Sequence, residues 1–170
     1  MAITLDGNNV STVGVINSAT AQASTSGTSI DFTGIPSGVK RITVMFNGVS
    51  TSGTSAVQVQ IGSGSVTTTG YVSSSANVYG SNSAVVATAT TGFIIQQGYA
   101  ASTRIGHMVI TTLGSNVWVS SHTLGDNASA IANQFGGGNV TLSGTLDRVR
   151  ITTVNGTDTF DAGSINILYE

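Results

Sequence analysis

The 170-residue chain contains no cysteine, which excludes disulfides, a thiolate nucleophile and thiolate metal sites. Charge is almost as scarce: Asp, Glu, Lys and Arg make up 7% of the residues, with a net charge of −2, against about 25% in ordinary soluble domains. Five Lys and Arg against seven acids cannot build a phosphate-neutralising stripe, so no nucleic-acid partner is expected. No apolar stretch approaches the roughly 18 residues of a spanning helix, so membrane insertion is not expected either. Apolar residues at i, i+3, i+4 and i+7 with capping signals are also missing, which argues against substantial helix.

Ser, Thr, Gly and Asn fill the space that Lys and Glu normally occupy. Such polarity without charge can indicate disorder, but disordered chains are poor in β-branched residues and this one is rich in Val, Ile and Thr. A surface with few charges and many hydroxyls suits contact with copies of itself or with neighbours. Burying a charge carries a large desolvation penalty, whereas a hydroxyl costs less and can pair locally. The composition reads as that of an assembly subunit.

From Ile30 onward, short alternating runs recur. Val39 to Val49 places Ile42, Val44 and Phe46 on one face, and Val57-Gln-Val-Gln-Ile61 alternates with its glutamines outward. Further candidates are Phe93 to Gln97, Ile105 to Leu113, Val117 to His122, Asn139 to Ser143, Leu146 to Val154 and Ile165 to Tyr169. Asn155-Gly156 is a strong hairpin signal between the last two. Residues 62–92 read as an exposed loop region or a set of weak edge strands, and Gly136-Gly137-Gly138 as a loop, since three glycines supply no side-chain packing. The predicted fold is all-β, an antiparallel two-sheet sandwich of jelly-roll type spanning 30–170. Residues 1–29 divide into an arm over Met1 to Ile16 and a Ser/Thr-rich linker over Asn17 to Ser29. The arm reads equally as a first strand of the same domain.

Chemistry has little foothold. His107 and His122 could face each other across a 105–122 hairpin, with Asp126 as a third ligand, but no metal-site spacing supports them and hydrogen bonding is the preferred role. No Gly-x-Ser-x-Gly elbow joins a strand to a helix, and the glycine tracts lack a P-loop lysine. Asp147, Asp158 and Asp161 lie near a turn beside Arg148 and Arg150, where charge pairing and turn formation suit them better than glycosidase chemistry. Lys40-Arg41 and Arg148-Val-Arg150 could share a sheet and pair with a neighbouring subunit's acids, Glu170 among them. Neither a catalytic site, a metal nor a cofactor is expected.

The ending Phe160-Asp-Ala-Gly-Ser-Ile-Asn-Ile-Leu-Tyr-Glu170 resembles the C-terminus of tail-fibre-like bacteriophage proteins. Two other stretches fit the same family: Phe32-Thr-Gly-Ile-Pro-Ser-Gly-Val-Lys-Arg-Ile-Thr-Val-Met-Phe46, and Gly106-His-Met through Trp118-Val-Ser-Ser-His122. The resemblance covers residues 24–170. It implies a virion structural protein, a tail-fibre or fibre-tip subunit that trimerises and attaches to a host glycan or protein without chemistry. Receptor contacts would fall on exposed tyrosines, with Tyr71, Tyr79 and Tyr99 as the candidates. It also implies a place on the virion surface after synthesis in the host bacterial cytoplasm, and the N-terminus carries no secretory pattern. The short segment before the sandwich fits a capsid decoration protein as an alternative, and a free glycan-binding lectin is a third reading.

Overall fold

A computed structural model describes residues 15–80, 83–96, 99–100, 102–127 and 132–170. The expected arm over Met1 to Ile16 lies almost wholly outside these residues. Fourteen strands follow in chain order: β1 (Asn17–Ser18), β2 (Gln22–Ala23), β3 (Ser29–Thr33), β4 (Arg41–Thr51), β5 (Val57–Ser63), β6 (Ser65–Val66), β7 (Val72–Tyr79), β8 (Ala84–Ala89), β9 (Phe93–Ile95), β10 (Arg104–Gly114), β11 (Val117–Asp126), β12 (Ala132–Thr141), β13 (Arg148–Thr153) and β14 (Phe160–Tyr169). They form two antiparallel sheets packed as a sandwich. The larger runs β1-β14-β4-β10-β11-β12-β7-β8, with β2 also on β14; the smaller runs β3-β13-β5-β6, with β9 also on β5.

Alternation dictates the core. Ile42, Val44 and Phe46 of β4, Met108 and Ile110 of β10, and Trp118 of β11 point inward from the large sheet. Val57, Val59 and Ile61 of β5 and Val149 and Ile151 of β13 meet them from the small one, all without solvent exposure. Gln58 and Gln60 do turn away from this core, yet they are buried rather than outward-facing. Thr91 covers them: its hydroxyl donates to Gln58 Oε1 and its carbonyl accepts from Gln60 Nε2.

The Asn155-Gly156 turn does not close a hairpin. β13 pairs with β3 and β5, whereas β14 pairs with β4, β1 and β2, so the turn carries the chain from one sheet to the other. Asn155 Oδ1 accepts from the amides of Thr157 and Asp158, and this side-chain turn takes the place of a strand ladder. A two-residue hairpin lies elsewhere, at Ser115-Asn116 between β10 and β11, where φ is +50° and +61°.

Asn17 to Ser29 is not a free linker. β1 and β2 lie along the outer edge of β14, and Ser24 is fully buried, its amide donating to Gly163 O and its hydroxyl to Ala162 O. The pairing is short, but it hides an otherwise open edge. Within residues 62–92, β7 and β8 form one margin of the large sheet, so this stretch holds strands rather than a loop.

Candidate functional site

The inner face of the large sheet changes character along its width. From β14 to β10 it is mainly apolar, with Arg104 at one end of β10, but over β11, β12 and β7 the inward side chains include Ser120, His122, Gln134, Ser73, Ser75 and Asn77, all buried. Register arranges these in rows: Ser120, Gly138 and Ser73; then His122, Gly136 and Ser75; then Leu124, Gln134 and Asn77. The triple glycine is therefore the interior of β12 and not a loop. A Cβ at Gly136 would lie 2.6 Å from His122 Cε1 and 2.8 Å from Ser75 Cα, so only glycine lets the imidazole cross the strand. His122 Nε2 then meets Ser75 Oγ at 3.1 Å.

The serines have a structural purpose. β9 pairs on one side with β5, and its opposite backbone donors face the large sheet. Ile94 N donates to Ser73 Oγ at 2.9 Å and Gln96 N to Ser75 Oγ at 3.1 Å. Side chains of one sheet thus satisfy a strand edge of the other, which a buried backbone requires. Burial drives the His122 imidazole down to about 4, and among the described residues its Nδ1 has no partner. His107 sits on β10 opposite Thr123, on the outer face and exposed, so the two histidines point away from each other. The cross-strand pair does not form, and among the described residues no three His, Asp or Glu side chains converge.

Arg104 and Asp126 are register partners at the end of the same inner face, both buried. Burial lowers the Arg104 guanidinium to about 10, and the charge of Asp126 opposes that fall. Most of the other charges on the described residues do local work. Arg148 bonds Asp147 at 2.7 Å, Arg150 bonds Asp31 at 2.7 Å, and Asp158 accepts from Asn155 and from the Ser55 amide. Asp161 accepts from Ser50. Arg41 pairs with Glu170 of the same chain and lies on the large sheet, whereas Arg148 and Arg150 lie on the small one. The expected positive patch on one sheet therefore does not exist.

The three candidate tyrosines part company. Tyr71 is a core residue, 1% exposed, stacked edge-on against Phe93 with ring centroids 5.0 Å apart. Its hydroxyl accepts from Ile61 N at 2.9 Å and donates to Ile61 O at 3.2 Å, and burial pushes the phenol up to about 12. A receptor cannot reach it, because the ring fills the sandwich where β5 bends into β6. Tyr79 and Tyr99 are brought together instead, ring centroids 6.4 Å apart and nearly perpendicular, with Tyr99 46% exposed.

Sequence inspection missed the outer face of the large sheet. From β4 to β8 it carries one charged side chain, Arg41, already tied to Glu170. One register row across it reads Met45, His107, Thr123, Phe135, Ala76 and Val86, and Phe135 and Val86 are 49% and 67% exposed. The small sheet, by contrast, carries the Asp31–Arg150 and Asp147–Arg148 pairs. The available signal was the alternation itself: the polar partners of the inward residues in these strands are hydroxyls and amides. Compared with known protein families, curated proteins and solved structures, the chain has no match.

Proposed function

We infer that the chain is a bacteriophage virion structural protein, a tail-fibre or fibre-tip subunit that works by non-catalytic binding. The observation that carries this is the nearly uncharged outer face of the large sheet, with Phe135, Val86, Ile105 and Val72 exposed on it. Covering such a face costs little desolvation, and interface cores are depleted in charge for that reason. The resemblance of residues 24–170 to tail-fibre-like proteins supplies the particle and the homotrimeric habit. The perpendicular Tyr79–Tyr99 pair offers ring faces and hydroxyls suited to a sugar on a host surface.

Quantifying the protein in purified particles tests the reading. A few copies at the tail tip support it; hundreds over the head mean capsid decoration; absence from particles refutes both. On a glycan array, Tyr99→Ala should lose the signal that the unaltered protein gives while keeping the same circular dichroism spectrum. Binding that survives this substitution removes the tyrosine pair from host contact.

A further inference from the structure

Most strand edges of the sandwich are closed from within the chain. β1 and β2 cover β14. Gln22 Nε2 donates to Asp31 O on the outer side of β3, and Ser73 and Ser75 take up the donors of β9. β6 is only two residues long. β8 is the exception: it ends the large sheet, with no further strand on it among the described residues. Its sequence, Ala84-Val-Val-Ala-Thr-Ala89, holds no charge and no proline, and Ala84, Val85, Val86 and Thr88 are exposed. It lacks the devices that keep an edge from pairing.

The direction of its backbone groups names the partner. Tyr79 N donates to Ser83 O, so alternation along β7–β8 makes Asn77/Val85, Ser75/Ala87 and Ser73/Ala89 the hydrogen-bonded pairs. The amides and carbonyls of Ala84, Val86 and Thr88 then point away from the sheet. These three are symmetric about Val86. We propose that β8 pairs antiparallel with β8 of a second copy around a two-fold axis at Val86, joining two large sheets edge to edge. Val86 would bond Val86 of the other copy, and Ala84 would bond Thr88 in both directions, so every outward group finds a partner. Side chains directly opposite would be Val with Val, Ala with Thr and Val85 with Ala87, with no like charges to repel. The contact is isologous and self-closing.

This deepens the self-assembly part of the reading above, and its failure can be told apart. Sedimentation of the full chain at micromolar concentration should give an even number of protomers, two or, combined with a three-fold contact, six. A trimer overturns the β8 pairing and leaves the assembly reading standing; a monomer overturns both. Val86→Lys and Val86→Glu place a charge on an exposed side chain, and each alone should halve the mass with an unchanged circular dichroism spectrum. Mixed in equal amounts, the two should regain the original mass, because Lys now faces Glu. Retention of the original mass by either variant alone overturns the proposal. In the unaltered protein, the Ala84, Val86 and Thr88 amides should resist hydrogen exchange at high concentration and lose that protection on dilution. Fast exchange at all concentrations also overturns it.

Discussion

His122 makes the stability of the sandwich depend on pH in a defined window. In the unfolded chain the imidazole takes a proton near its ordinary 6.5, and in the folded protein burial holds this down to about 4. Between those values the unfolded state binds more protons, so stability rises with pH across the window and is lost as pH falls through it. At roughly 1.4 kcal/mol per pH unit, the loss amounts to about 3 kcal/mol, a large share of a typical total of about 5–15 kcal/mol. The structural cause is specific: among the described residues Nδ1 has no acceptor and Nε2 meets Ser75 Oγ, and burial is the one cause of the shift, with no carboxylate contributing. Urea unfolding at pH 7, 5.5 and 4 measures the effect. His122→Gln is the reference, since it keeps a polar group but cannot titrate. The difference in unfolding free energy between the two proteins should change by about 3 kcal/mol between pH 7 and pH 4. Asp147, held below its ordinary value chiefly by Arg148, loses its share at lower pH and does so in both proteins. Parallel stability curves for the two proteins, or a folded-state His122 resonance titrating near pH 6.5, would refute the reasoning.

Gly136→Ala should lower stability by about 1–3 kcal/mol or more through overpacking, whereas Gly125→Ala, whose nearest non-neighbour atom is Ile105 O at 3.8 Å, should leave the melting temperature nearly unchanged. Tyr71→Phe should cost about 1–3 kcal/mol in denaturant unfolding, because it strips the buried Ile61 amide of its partner, although the Ile61 carbonyl keeps the Thr67 amide, and it should leave glycan binding intact. Deleting Ser164 to Glu170 removes the fully buried Ile165 and Ile167, leaves β1 and β2 without their strand and opens one edge of β4. At about 2–5 kcal/mol for each lost large side chain, the product should be insoluble or unfolded by circular dichroism.

What could be read from the sequence was the part governed by alternation. The inward Ile42, Val44 and Phe46, the apolar Val57, Val59 and Ile61, and the buried Ile165 and Ile167 all follow from a period of two. Legibility failed where a neighbour overrides local preference. Gly136 to Gly138 argue against a strand when seen alone, yet the close backbones of β7 and the His122 ring leave no room for side chains there. Asn155-Gly156 announces a reversal but not which sheet receives the chain next. Tyr71, set in a polar stretch, carries no periodic sign of its place in the core, and Asn17 to Ser29 lacks the apolar residues that would mark it as paired. The neutral outer face emerges only once register has put six strands side by side.

The strand order also sets a timetable for synthesis. β13 is the centre of the small sheet, between β3 and β5, and β14 joins β4 to the two N-terminal strands in the large one. Both come from residues 148–170, so neither sheet can close until the ribosome has delivered this stretch. At roughly 5–20 residues per second the nascent polypeptide spends seconds with the apolar edges of β4 and β5 open, and non-local pairings of this kind form slowly once available. Slower translation or a lower growth temperature lengthens the first interval without shortening the second. Recombinant yield should therefore respond more to chaperone supply than to codon choice.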